Sequence, residues 1–204
     1  MRLQITRDEI DWTVETNHWL TERVWAHDAR SLYLPAGDTP QGIYNSWRRD
    51  PPKCLSRLRL LQLDDIAEGK HQGRFARYFR EALPGQRVEE PLKDVQADLG
   101  ILGLGTNGHV AFHEPGIPAT FRYGEIQLQG ETAARMGVEP GTAALTFGLA
   151  ALAETHALLL LVKGEHKRSV LERLLKEDKA LPATALMDHP DLTILTDIQN
   201  IEPR

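Results

Sequence analysis

Five short apolar runs punctuate the chain, at residues 31–36 (SLYLPA), 58–63 (LRLLQL), 98–104 (DLGILGL), 157–163 (ALLLLVK) and 192–196 (LTILT). Several are continuous rather than alternating, which is how a strand reads when both of its faces are covered. Between them lie stretches with helical spacing. In 165–178, Val170, Leu171, Leu174 and Leu175 line one side while Lys167, Arg168, Glu172 and Arg173 take the rest. Residues 8–27 and 72–83 read in the same way, and a further helical stretch follows Pro40 through Tyr44 and Trp47. Strands alternating with helices predict right-handed crossovers and a largely parallel sheet between two helical layers, an α/β/α Rossmann-like fold. Ligands of such sheets sit beyond the carboxyl ends of the strands, so polar residues just after a predicted strand become site candidates.

Composition narrows the function classes. The 204 residues contain no repeat, low-complexity tract or linker, so residues 1–204 are expected to form a single domain. With 41% hydrophobic and 26% charged residues, the chain has apolar material for a core, which excludes disordered and collagen-like classes. The 24 basic residues against 29 acidic ones argue against a general nucleic-acid surface and leave room for a local anion site, so the expected partners are small molecules. Cys54 is the only cysteine, which rules out an intrachain disulfide and a cysteine-rich zinc site and fits a reducing compartment. The start, MRLQITRDEIDW, carries charges where a signal peptide needs apolar residues, and the longest apolar run is too short to span a bilayer. A cytoplasmic protein without membrane contacts is expected, as a monomer or a homo-oligomer.

Four predicted strand ends carry chemistry. After the first comes Gly37-Asp38-Thr39-Pro40: Gly37 permits a tight turn, Thr39 offers a hydroxyl, and Pro40 suits a helix start whose free N–H groups receive an anion; from the tetrapeptide alone, a plain strand-to-helix turn capped by Thr39 or Asp38 is the better reading. After the second stand Asp64 and Asp65. Adjacent residues point in different directions, so one is expected to face a ligand and the other to serve as a cap or acceptor. A carboxylate beside a desolvated cleft is what abstraction of a carbon-bound proton needs.

The third strand leads into LGLGTNGHVAFHEPG, residues 102–116. Gly103, Gly105 and Gly108 spell the dinucleotide fingerprint formally, with Glu125 further on. Pro115, Gly116 and Pro118 stop the required helix, and no Walker lysine follows. His109 and His113, four apart with Glu114 adjacent, would share one face of a short helix as metal ligands, but the zincin pattern is absent and no metal is expected. There remains a glycine-rich turn that delivers Asn107, His109 and Glu114 to the crevice, with His109 as a general acid or base. After the fourth strand, Lys167 opens a helix where an ammonium can meet a phosphate.

These segments resemble the amino-sugar-phosphate isomerase/deaminase family, which includes glucosamine-6-phosphate deaminase and galactosamine-6-phosphate relatives. LGLGTNGHVAFHEPG matches the family pattern G-x-G-x-[DN]-G-H-x-x-F-N-E-P-G, and LPAGDTPQGIY its phosphate loop L-x-x-G-x-T-P-x-x-x-Y. LQLDD is similar to its strand-end Asp-Glu, LLVKGEHK to its G-x-x-K helix start, and LPATALMDHP to its closing P-[AT]-[ST]-x-L-x-x-H-P. The resemblance implies isomerisation of glucosamine 6-phosphate or galactosamine 6-phosphate to the ketose 6-phosphate with loss of ammonia, without metal or nicotinamide. It implies Asp64 as the base moving a proton between C2 and C1, and His109 with Glu114 in ring opening beside Asn107. Gly37, Asp38, Thr39, Asp65, Gly105, Gly108, Arg135 and Lys167 are implied on the substrate, with the phosphate on Gly37, Thr39 and Lys167.

The chain also departs from the pattern. Asn107 stands where members have Asp or Asn, His113 replaces the usual Asn before Glu-Pro, Asp65 replaces Glu, and Asp38 brings a carboxylate into the phosphate loop. The Ser-Tyr pair expected after Asp65 is absent, residues 117–141 read as a Gly/Pro-rich, shortened lid carrying Arg135, and no C-terminal effector site is expected. Two other activities are compatible with the architecture. 6-Phosphogluconolactonases share the phosphate loop, but their histidine motif continues H-T-A-S-L-F-P, so Glu114-Pro115 favours the deaminase branch. A catalytically silent sugar-phosphate sensor is the other; no helix-turn-helix precedes the first strand.

Overall fold

The computed structural model describes residues 1–201. Seven parallel strands form the main sheet: β1 (Arg2–Ile5), β2 (Ser31–Leu34), β3 (Arg59–Gln62), β5 (Val88–Glu89), β6 (Leu99–Gly103), β9 (Ala157–Val162) and β10 (Leu192–Thr196), in the order β1-β10-β9-β6-β2-β3-β5. Helices α1 (Glu9–Ala26), α2 (Gln41–Arg49) and α3 (Arg74–Ala82) pack on one face, and α5 (Leu149–Leu152) and α6 (Arg168–Leu175) on the other. A second, antiparallel sheet joins β4 (Asp64–Ile66), β8 (Ala143–Phe147) and β7 (Tyr123–Gln127), and α4 (Gly130–Met136) caps its hairpin.

All six residues of β9 are buried because its faces belong to two cores: Leu158, Leu160 and Val162 pack with α5 and α6, while Ala157, Leu159 and Leu161 pack with α1 and α2. That division explains the continuous apolar run. Each side chain removed from water contributes about 1.5–3 kcal/mol, so the central strand anchors both layers. Asp8 starts α1, its carboxylate accepting the N–H groups of Ile10 and Asp11 at 2.9 Å each.

From β2 the chain winds outward through β3 and β5, then returns to the other side of β2 as β6 and continues to β9. The loops after β2 and β6 therefore diverge, opening a crevice at this reversal. At Leu63 the chain leaves the main sheet, and Asp64 enters the second sheet opposite Thr146. No helix among the described residues is long and apolar enough to cross a membrane.

Two local expectations are corrected. Residues 106–121 form turns rather than a short helix: Ala111 has φ 51° and Val110 bridges to His113, which ends any helical path. The 117–141 stretch is not merely Gly/Pro-rich, since it contains β7 and α4.

Candidate active site

The turn after β6 gathers three of the expected residues. Asn107 Oδ1 lies 2.6 Å from His109 Nδ1 and accepts the His109 backbone N–H at 3.2 Å, while Asn107 Nδ2 donates to Glu114 Oε2 at 2.7 Å. Glu114 Oε1 lies 3.2 Å from the same imidazole nitrogen. Because a backbone N–H can only donate, the atom facing it is the amide oxygen, and His109 Nδ1 then faces two acceptors. Nδ1 carries the proton, and in the neutral ring Nε2 keeps its lone pair.

Gly105 makes this ring position available: a Cβ there would lie 2.4 Å from His109 Cε1 and Nδ1. Gly108, at φ 82°, packs against Leu181, and its carbonyl accepts the Ala183 N–H at 3.0 Å, which ties the turn to the Leu181-Pro182-Ala183 segment. Burial holds the His109 imidazole below its ordinary pKa; Glu114 and Glu131 oppose that shift, and Lys167 and Arg135 add to it.

Lys167 is 6% exposed, and its Nζ donates to the Leu104 carbonyl at 2.8 Å. The ammonium keeps two further N–H donors for an anion. Burial, then the charge of Arg135, lowers its pKa to about 8. Arg135 sits exposed on α4.

Asp64 is buried at the seam between the two sheets, and its carboxyl is pushed up to about 8, first by burial and then by Asp65. Its partner in the second sheet, Thr146, accepts the Phe112 N–H at 3.1 Å and thereby links the Asp64 strand to the His109 turn. Asp65 has a different job from the expected substrate contact. Its carboxylate accepts the N–H groups of Ile66, Phe75 and Ala76 and the Gln62 amide, at 2.8–3.2 Å, so it fixes the first turn of α3.

The loop after β2 turns at Gly37, φ 104°, and Tyr78 from α3 pins it by donating to the Gly37 carbonyl at 2.8 Å. Asp38 is exposed and Thr39 half-buried there, ahead of the first turn of α2. The charge of Asp38 and, more strongly, burial raise the Tyr78 hydroxyl's pKa.

His113 does not join His109. It is fully buried, its Nε2 donating to the Ile117 carbonyl at 3.1 Å and its Nδ1 accepting the Leu149 N–H at 3.3 Å. Among the described residues, no group of three or more His, Cys, Asp or Glu is placed to hold a metal ion. A cavity of about 390 Å³ lies beside His113, Pro115, Ile117, Leu181 and Met187, and neither Asp64, His109 nor Lys167 lines it. That cavity is thus separate from the titratable cluster.

Three contributors escape sequence reasoning: Tyr78, Thr106 and Thr132. Thr132 Oγ1 donates to Glu114 Oε1, and Thr106 Oγ1 to Glu131 Oε2 at 3.4 Å. Thr106 lies within the motif but its partner Glu131 is made by folding, and nothing in the motif's spacing points to Tyr78 or Thr132.

Residues 69–194 match the family described as glucosamine-6-phosphate isomerases/6-phosphogluconolactonase, more than half of the chain. The chain belongs to this family. Among its relatives, a glucosamine-6-phosphate deaminase of Lysinibacillus sphaericus is 36% identical over 122 residues, 55% of each chain. A glucosamine-6-phosphate deaminase of Bacillus velezensis is 29% identical over 203 residues, covering 81% of this chain and 84% of its own. The solved structure of a monomeric glucosamine-6-phosphate deaminase superposes with a TM-score of 0.78 at 19% identity, over 96% of this chain and 97% of the other, which establishes the shared α/β architecture.

Proposed function

We propose that the protein is an aldose–ketose isomerase/deaminase of amino-sugar phosphates, converting glucosamine 6-phosphate or galactosamine 6-phosphate to the ketose 6-phosphate and ammonia. The observation that carries this reading is the Asn107–His109–Glu114 cluster, which leaves an imidazole lone pair available, together with a buried carboxyl at Asp64. The names of the relatives point the same way.

In this reading Lys167, Arg135 and the Gly37–Thr39 turn receive the phosphate. His109 Nε2 takes the proton of the C1 hydroxyl and delivers it to the ring oxygen, opening the pyranose, while Glu114 and Asn107 hold the ring through Nδ1. Asp64, ionised, removes the C2 proton and returns it to C1. The imine left at C2 then adds water and releases ammonia. A raised carboxyl pKa suits this shuttle, because the acid must both take up and give back its proton near neutral pH.

The test is incubation with each amino-sugar 6-phosphate and measurement of ammonia and ketose phosphate, with Asp64→Asn and Glu114→Gln alongside. The expected outcome is release by the wild-type protein, loss of more than about 10²-fold in both variants, and retained phosphosugar binding. Lactone hydrolysis without ammonia release assigns the protein to the other branch of the family. Binding of both sugars without turnover assigns a sensor.

A further inference from the structure

We propose that Thr132 is a positioning residue for Glu114, coupling the helix that presents Arg135 to the carboxylate that holds His109; the inference rests on the reaction proposed above. Thr132 is 4% exposed in α4, and its hydroxyl donates to Glu114 Oε1, the oxygen that also faces His109 Nδ1. Asn107 Nδ2 donates to the other oxygen. A carboxylate held through one oxygen alone swings readily about its terminal torsion, whereas a donor on each oxygen fixes the plane presented to the imidazole.

The two donors come from different parts of the chain. Asn107 belongs to the same turn as His109, while Thr132 arrives on a helix reached only after β7. Arg135 follows Thr132 by three residues, and positions i and i+3 of a helix share a face. One helix therefore brings both a candidate phosphate contact and the second donor to Glu114. Other contacts hold α4 in place without the hydroxyl: Ala133 packs in a cluster with Phe112 and Phe75, Arg74 donates to the Met136 carbonyl, and Thr106 donates to Glu131. Removing the hydroxyl alone leaves that seat intact.

The experiment compares wild type, Thr132→Val and Thr132→Ser, first by turnover of the amino-sugar phosphate. Valine keeps the shape and removes the donor, so kcat falls about tenfold with KM within about twofold, and serine restores kcat to within about threefold. A valine variant with wild-type kcat overturns the proposal, as does a loss expressed in KM that serine fails to repair. The second readout does not depend on turnover: the titration of the His109 imidazole followed by NMR. The groups facing it are Asn107 and Glu114 from its own turn, Arg135 and Glu131 from α4, and Lys167 from the turn before α6. Without the threonine donor, more negative charge rests on Glu114 Oε1, so the midpoint rises in the valine variant and stays put in the serine variant. An unchanged midpoint in the valine variant also overturns the proposal. If wild type releases no ammonia from either sugar, the reaction assignment fails by itself, and the NMR comparison still decides the role of Thr132.

Discussion

Asn107 Oδ1 sits 2.6 Å from His109 Nδ1 and also accepts the backbone N–H of that residue, so the amide is locked with its oxygen toward the ring and its nitrogen toward Glu114. An aspartate there could not do both, because its second oxygen would face the Glu114 carboxylate. Asn107→Asp adds a negative charge beside the imidazole, and a negative charge favours the imidazolium. The titration midpoint of His109 is therefore expected to rise. NMR titration checks this; a midpoint that stays or falls contradicts the assigned orientation.

If the proposed reaction is the one this site performs, with Asp64 as base and Lys167 on the phosphate, the pH dependence of kcat/KM is a narrow bell centred near 8. Turnover needs Asp64 ionised, so the rate rises as pH climbs through its value of about 8. Phosphate capture needs Lys167 charged, so the rate falls as pH passes its own value of about 8. His109, held below its ordinary value, stays neutral across this window. Lys167→Met should remove the alkaline limb and raise KM by about tenfold or more. An acid limb near 4 would contradict the raised value of Asp64.

Asp64 also makes a thermodynamic prediction. Its folded pKa lies far above the unfolded one, so the folded state binds this proton more tightly, and stability falls as pH rises from about 4 to 8. Asp64→Asn abolishes that loss. Above pH 8 the variant is expected to melt higher than wild type while releasing no ammonia, as thermal unfolding at several pH values will test.

Gly105→Ala tests the seat of the imidazole. The added methyl would overlap the His109 ring, so the ring must leave its place against Asn107 and Glu114. The cost is about 1–3 kcal/mol of stability, with kcat reduced about 10²-fold and KM within about threefold, because the phosphate contacts lie on other segments. A variant with normal kcat would mean that the ring acts from another position.

The five apolar runs all became strands of the main sheet, because each is buried on both faces and burial leaves a plain mark in the residues. The second sheet left no such mark. β4 begins with two aspartates, and β7 reads YGEIQ with one face exposed, so their pairing with β8 is fixed by tertiary register rather than by pattern. The spacing of His109 and His113 looks helical, yet the left-handed backbone at Ala111 sends the two rings apart, a conformation that composition does not announce for an alanine. The motif residues Asn107, His109 and Glu114 were legible because they crowd into eight consecutive positions. Thr132 and Tyr78 were not, since their partners are made by folding alone.

The β7–β8 hairpin closes on one rung, where the Leu128 N–H meets the Thr142 carbonyl and the Gly141 N–H meets the Leu128 carbonyl. Between the two strands, α4 is tied back to the rest of the molecule, through Ala133 packed with Ile66, Phe75 and Phe112 and through Thr132 on Glu114, while the register that seats Asp64 against Thr146 lies below the clasp. A change within residues 130–136 therefore reaches the Asn107–His109–Glu114 turn and the strand that carries Asp64 at once.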